Sequence, residues 1–290
     1  MYSQGHIIFI IASFIIIFLG VLFCKTKSIP TEKVIWACFL IGLTCEVIKI
    51  FCVIKMVPIV ELTSENGTLI FKNTGKFSPY IESVYLPFEL CSYQILFLFL
   101  ARIIKNEKWK RRIYSLIYAT ALIGGLLAIF LSYISNDYNS TKEYLLSIRA
   151  WEFYIYHAMI VIVAIAIARD EHYKPRFSDI KLTSIIILLF DILSFYMNSL
   201  LSVPIYNNEK LMGLTYSLNY FSSYNNPLGI TITTKNQYLI YLLIRLIIGF
   251  LFVVIVHLPF LKRKNTHKYI KMAENEKQCI EKSKSNMIYY

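Results

Sequence analysis

The chain has few charged residues. Only 17% of its 290 residues are Asp, Glu, Lys or Arg, while 57% belong to the hydrophobic set. Soluble globular domains carry about 25% charged residues and have shorter apolar runs. Here apolar runs that are long enough to cross a bilayer recur from one end of the chain to the other. The composition therefore excludes a soluble domain with one anchor and predicts a polytopic membrane protein.

Motifs of several common enzyme and metal-binding classes are missing. The sequence contains no Gly-rich phosphate loop, no H-E-x-x-H and no G-x-S-x-G. Its six cysteines include no close C-x-x-C pair, and all but Cys279 lie in or beside apolar segments. This argues against a disulfide framework and against a structural zinc site. We therefore expect no cofactor and no metal. The first apolar run also lacks a basic leader and a clear cleavage site, so we do not expect a cleaved signal peptide.

Acidic residues are fewer than basic ones, 18 against 30, which gives a formal net charge of +12. Such a balance is compatible with nucleic-acid binding, but most of the basic residues lie between the apolar runs. In that position membrane orientation and lipid headgroups account for them. We therefore predict membrane lipids as partners, with anionic headgroups of the inner leaflet at the basic loops and tail, and no nucleic acid.

The apolar runs predict an all-α fold, a bundle of seven transmembrane helices in residues 1–261, followed by a basic cytoplasmic tail at 262–290. Helices are expected because lipid offers no hydrogen-bond partners to the backbone and the alternation of a barrel strand is absent. The predicted spans are 6–24, 34–58, 84–104, 113–134, 148–168, 182–204 and 238–261.

Basic residues follow the first, third and fifth predicted spans and fill the tail, while the alternate connections are poor in them. The positive-inside rule then places the N-terminus outside and the C-terminus in the cytoplasm of a multi-pass cell-membrane protein. The long connections 59–83 and 205–237 fall on the outer side. We predict that the second is a loop, rich in Asn, Ser, Tyr and Gly, that can cover the outer face. The N-G-T at Asn66 matches a glycosylation acceptor.

Polar residues inside the predicted spans are the candidate functional residues, because each costs about 2.5–3.5 kcal/mol in lipid and so turns towards the bundle interior. Counting 1.5 Å per residue places most of them in the outer half of the bundle. We predict that they line one cavity that opens outward. The alternative is that they form ion pairs that only fix helix packing. The candidate binding residues are Glu46, Lys49, Glu89, Gln94, Asp191, Asn198 and Arg245.

Spacing predicts some of their contacts. Glu46 and Lys49 are three residues apart and can pair within one helix, as can Arg149 and Glu152. Polar residues of the sixth predicted span recur at intervals of 7, 3 and 4, which places them on one helix face: Ser184, Asp191, Ser194 and Asn198.

Cys91 and His157 form the candidate catalytic pair. The imidazole would accept the thiol proton, and the thiolate would attack an ester or thioester carbonyl. Glu152 or Glu89 would orient the imidazole, and Arg245 or Asn198 would stabilise a headgroup or the developing oxyanion. The alternative is that His157 is a hydrogen-bonded structural residue of an apolar helix.

Three stretches resemble the YwaF-like family of integral membrane proteins. "LPFELCS" (86–92) is similar to the L-P-x-x-L-C motif of that family. "YHAMIVIVAIAIARDEHYKPRFSDI" (156–180) resembles its His-led helix and the loop that follows, and "LNYFSSYNNP" (218–227) resembles its Asn-Tyr…Asn-Pro segment. Many members have His two residues before the motif Cys, where this chain has Glu89. A distantly related eukaryotic protein is an acyltransferase that remodels ether phospholipids through a Cys. The resemblance therefore implies Cys91 as acyl acceptor and His157 as its base.

Three functions remain open from the sequence. The first is a Cys/His-dependent lipid acyltransferase or hydrolase in the membrane. The second is a transporter or ligand-binding membrane protein that uses the intramembrane carboxylates and Arg245. The third is a non-catalytic scaffold or sensor. Fold-level kinship alone does not decide between them.

Overall fold

The structure of the protein is a computed structural model. It describes residues 3–65, 68–82, 85–86, 90–132, 138, 140–207, 210–216 and 234–286.

Eight α-helices make up most of the described chain, which confirms the predicted all-α bundle. Six helical segments are long and apolar enough to cross a membrane: α1, α2, α4, α6, 177–201 and 235–261. The helices are α1 (Gln4–Thr26), α2 (Thr31–Val53), α3 (Leu90–Ile103), α4 (Glu107–Phe130), α5 (Thr141–Leu146), α6 (Ile148–Arg169), α7 (Ile180–Leu201) and α8 (Lys235–Asn286).

Helices α4 and α6 form the centre of the bundle. In their most apolar windows 56% and 67% of the residues are buried, against 11% for α8. Small residues permit the close approach of their neighbours. A Cβ on Gly125 of α4 would lie 2.7 Å from Val161 Cγ2, and one on Gly42 of α2 would lie 2.9 Å from the Tyr156 ring. The outer helices expose Ile, Leu and Phe side chains, as lipid contact requires.

Capping side chains account for where the central helices begin. Asn106 accepts hydrogen bonds from the backbone N–H groups of Lys108 and Trp109, at 3.1 and 3.2 Å, and so starts α4. Ser147 accepts one from Ala150 N–H at 3.3 Å and starts α6. Each cap satisfies donors that have no partner within the helix.

Two antiparallel hairpins replace the expected irregular connections. Strand β1 (Lys55–Glu65) pairs with β2 (Thr68–Tyr80), and β3 (Val203–Asn207) pairs with β4 (Lys210–Tyr216). The prediction of a loop from 205 is therefore wrong as far as Tyr216, while 217–233 lie outside the described residues. In the first hairpin the pairing runs from Lys55 with Tyr80 to Glu65 with Thr68.

Several helix ends differ from the predicted spans; α4, for example, begins at Glu107 rather than 113. Helix α2 ends at Val53 rather than 58, because the chain enters β1 at Lys55, and Pro58 cannot supply a helical N–H. Helix α3 is described from Leu90 and has 14 residues, about 21 Å, so the seventh span stays a prediction. Helix α8 continues without a break from the apolar span into the predicted tail.

The basic connections lie together at one end of the bundle. Glu32, at the start of α2, forms ion pairs with Arg102 at the end of α3 and with Lys110 in α4. Tyr173, after α6, donates a hydrogen bond to Glu107 at 2.8 Å. This arrangement agrees with the charge pattern on which the predicted orientation rests. The orientation itself, with the N-terminus outside, stays a prediction.

Candidate functional site

Two ion pairs meet between α2 and α6. Glu46 pairs with Lys49, and Arg149 pairs with Glu152, each three residues apart as the spacing predicted. Glu152 also lies within electrostatic range of Lys49 and Glu46 on the neighbouring helix. The Glu152 side chain is 7% exposed and that of Lys49 10%. Buried charges of this kind need partners, and here two helices supply them to each other.

A groove of about 390 Å³ lies between the same two helices, beside Glu152. Its other walls are apolar except for Thr44 and Cys45, and the large side chains of Leu40 and Trp151 at its edge are partly exposed. In a bilayer such a surface contacts lipid. The lining residues are Leu40, Ile41, Thr44, Cys45, Ile48, Ile148, Trp151, Glu152 and Ile155.

Tyr156 connects this charged group to Cys91. Its hydroxyl donates a hydrogen bond of 2.6 Å to the backbone carbonyl of Cys91. Its ring lies against Gly42, and its hydroxyl is within electrostatic range of Cys45 and Glu46. Tyr156 therefore joins α6 to α3, which is described from Leu90, and Cys91 is half-buried there.

His157 follows Tyr156 in α6 and is 2% exposed. Its Nδ1 lies 2.7 Å from the Phe153 carbonyl oxygen. Because a carbonyl only accepts, Nδ1 carries the proton, and Nε2 is the nitrogen with a free lone pair in the neutral ring. Nε2 is buried and has no hydrogen-bond partner among the described residues. The described contacts therefore leave the imidazole with one unused acceptor atom, as a general base requires.

Gln94 lies one turn after Cys91 on α3 and is 1% exposed. Its amide nitrogen donates to Thr120 Oγ1 on α4, and the Thr120 hydroxyl donates to the Leu116 carbonyl at 2.7 Å. Its amide oxygen Oε1 is buried and finds no partner in the described part of the chain. The side chain thus presents an unused acceptor on the same helix as Cys91.

Asp191 and Arg245 form an ion pair between α7 and α8. The two side chains are 15% and 17% exposed, and the Arg245 guanidinium also lies 5.9 Å from the Tyr241 ring centroid. Ser194 and Asn198 are buried on the same face of α7, and Ser184 is half-buried there, which agrees with the predicted polar face. The Ser202 hydroxyl donates to the Asn198 carbonyl one turn later.

The described contacts thus place the predicted site residues in three groups: α2 with α6, α3 with α4, and α7 with α8. Glu89 lies outside the described residues, as do 87–88 of the first resemblance and the whole of 218–227. That all of these residues line one outward-facing cavity stays a prediction. So does direct contact between the Cys91 thiol and the His157 ring.

Sequence reasoning missed Tyr156 and Thr120. Tyr156 is one of 22 tyrosines, and no pattern in the sequence marks this buried phenol as a contact of Cys91. Thr120 lies in an apolar run with no ionisable neighbour. One available signal was position, because Tyr156 directly precedes the candidate base.

Comparison with known families gives one match. The TMEM164 family matches residues 1–258, which include every described residue of the three groups above. No curated protein and no solved structure matches the chain.

Proposed function

Because the chain belongs to the TMEM164 family of membrane proteins, we propose that it is a multi-pass membrane enzyme that transfers acyl chains between lipids through Cys91. The proposal rests on one observation above all. Tyr156 ties the part of α3 that carries Cys91 to the turn of α6 that carries a buried His157 with an unused Nε2. The resemblance of 86–92 to the YwaF-like motif, and the distant relation to an ether-phospholipid acyltransferase, belong to the same proposal.

Cys91 acts as a nucleophile only as a thiolate, the reactive form of cysteine. In this proposal His157 produces that thiolate, because its unused Nε2 can take the thiol proton.

The proposed reaction has two halves. His157 Nε2 takes the proton of the Cys91 thiol, and the sulfur attacks the ester carbonyl of a donor lipid. The ester C–O bond breaks, the lysolipid oxygen takes the proton from His157, and the acyl chain stays on the sulfur as a thioester. A hydroxyl of an acceptor lysolipid then gives its proton to His157 and attacks the thioester carbonyl; the C–S bond breaks, and His157 returns the proton to the Cys91 sulfur.

The surroundings suit lipid substrates. The groove between α2 and α6 has apolar walls for an acyl chain and ends beside the buried charges of Glu152 and its partners. The unused Gln94 Oε1, one turn from Cys91, can accept a hydrogen bond from a glycerol hydroxyl. In this proposal Glu152 and Lys49 act on the headgroup rather than on the imidazole, since Glu152 already pairs with Arg149.

The transporter hypothesis has less support. Each carboxylate of the predicted binding and catalytic residues that the structure describes has a basic partner: Glu46 with Lys49, Glu152 with Arg149, and Asp191 with Arg245. A site for a cation or proton needs a carboxylate that is free to bind it. These pairs instead suit helix packing, the alternative that the sequence left open.

The test replaces Cys91 by Ala and His157 by Asn, separately, and follows acyl exchange between labelled phospholipids in membranes that contain the full chain. Both changes should abolish exchange. Cys52→Ala, at an exposed cysteine of α2, is the matched control and should retain it. Unchanged exchange in Cys91→Ala would refute the catalytic proposal. Solute uptake that persists in Cys91→Ala but is lost in Asp191→Asn would favour the transporter.

A further inference from the structure

A second pocket lies at the opposite end of the bundle, between the start of α4 and the segment after α6. Its volume is about 570 Å³. Most of its lining residues are ionisable: Glu107, Lys108, Arg111, Arg112, Glu171, His172, Tyr173 and Arg176. The pocket is on the side where the basic connections gather and has no part in the proposed reaction.

Part of this charge is already neutralised by neighbours. Arg111 donates two hydrogen bonds to Asp179, at 2.7 and 3.0 Å. Glu171 pairs with Lys174 at 2.5 Å. Glu107 accepts from the Tyr173 hydroxyl and lies 3.5 Å from His172 Nε2, a contact that offsets its charge only when His172 is protonated.

Three cations are left over. Lys108, Arg112 and Arg176 form no ion pair within the described residues, and Arg112 only rests over the Trp109 ring, 4.9 Å from its centroid. Lys108 and Arg112 lie four residues apart on one face of α4, and Arg176 faces them from the other wall. After the pairs Arg111–Asp179 and Glu171–Lys174 are set aside, these three cations outnumber the remaining carboxylate of Glu107, so the pocket keeps an excess of positive charge.

The position of the pocket indicates the source of its ligand. Trp109 lies in the first turn of α4 and is 52% exposed, and Trp at such a position marks the headgroup level of a bilayer. The first turn of α4 adds the positive end of its helix dipole. A lipid phosphate is held at this level, whereas a dissolved anion would have to be recruited from bulk water.

We propose that Lys108, Arg112 and Arg176 bind the phosphate of an anionic phospholipid headgroup. The two guanidinium groups supply paired N–H donors that match phosphate oxygens, and the Lys ammonium adds a point charge. The net charge of the three cations selects anionic lipids over zwitterionic ones, whose amine would meet repulsion in the same pocket.

The test uses the purified full chain in phosphatidylcholine nanodiscs, with phosphatidylglycerol as the probe. Binding is measured by native mass spectrometry and by the rise in Tm. The wild type should bind phosphatidylglycerol about tenfold or more tightly than phosphatidylcholine, and the variant Lys108→Ala/Arg112→Ala/Arg176→Ala should lose that preference. The control Lys25→Ala/Lys27→Ala/Lys33→Ala removes the same charge from exposed positions at the same end of the bundle and should keep it.

Three results would overturn the proposal: no preference in the wild type, the same loss in both triple variants, or equal stabilisation by inorganic phosphate at constant ionic strength. The last result would assign the pocket to free phosphate. Because the readout is binding rather than acyl exchange, the outcome is independent of the proposed reaction.

Discussion

Replacing Gly125 by Ala tests the packing of the two central helices. A Cβ at this position would lie 2.7 Å from Val161 Cγ2, 3.1 Å from Ile160 Cγ1 and 3.1 Å from the His157 backbone oxygen. Carbon atoms in good contact are about 3.5–4.0 Å apart. The Val161 methyl must therefore move by about 1 Å, and the His157 carbonyl cannot rotate away, because it belongs to the backbone of α6.

The expected cost follows from two opposing terms. Overpacking of a tight contact costs about 1–3 kcal/mol. Ala is favoured over Gly in a helix interior by about 1 kcal/mol. The net change in the free energy of unfolding for Gly125→Ala is therefore a loss of about 0–2 kcal/mol. Gly249→Ala gains only the helix propensity of Ala over Gly, because nothing lies within 4 Å of a Cβ there.

The assay is thermal or denaturant unfolding of the full chain in the same detergent for both variants. Gly249→Ala should be as stable as the wild type or more stable, and Gly125→Ala should fall below Gly249→Ala by about 1–3 kcal/mol. Gly125→Val should be less stable still. Equal stability of Gly125→Ala and Gly249→Ala would refute the close approach of α4 and α6.

Two further predictions concern an ion pair and a cap. Asp191→Asn leaves the Arg245 charge without its carboxylate between α7 and α8, and we expect a loss of about 2 kcal/mol, between the values for exposed and buried pairs. The reversed double variant Asp191→Arg/Arg245→Asp should recover part of it, and a double variant worse than the sum of its single changes would contradict the pairing. Asn106→Ala should cost about 1 kcal/mol by removing the cap of α4, while Asn106→Asp should be nearly neutral; equal Tm values for the two would argue against the cap.

Hydropathy predicted the helices well because burial in lipid and burial in a helix bundle both select apolar residues. It failed at the end of α2, where Ile54, Met56 and Val57 extend the apolar pattern on either side of Lys55 while the backbone has become a strand at Lys55. A sliding average cannot separate these states, because strand and helix residues are similarly apolar there. Pro58, as a helix breaker, carried part of the missing information.

In the candidate site, contacts within one helix could be predicted from the sequence, and contacts between helices could not. The pairs Glu46–Lys49 and Arg149–Glu152 were predictable, since helix periodicity brings residues three apart together. The pair of Asp191 with Arg245 was not, because it depends on α7 and α8 being neighbours, and one sequence does not specify which helices touch. The hydrogen bond from Tyr156 to the Cys91 carbonyl was unpredictable for the same reason, because it depends on α6 and α3 being neighbours.

Helix α8 extends well beyond its apolar span 235–261. From Leu261 to Asn286 the helix runs 25 residues further, about 38 Å at 1.5 Å per residue. A binding partner that recognises its last turns would engage the protein beyond the lipid headgroups. Pro259 lies in α8 between this extension and Arg245, and a proline inside a helix removes one backbone hydrogen bond, so the extension can bend relative to the span that carries the salt bridge to α7.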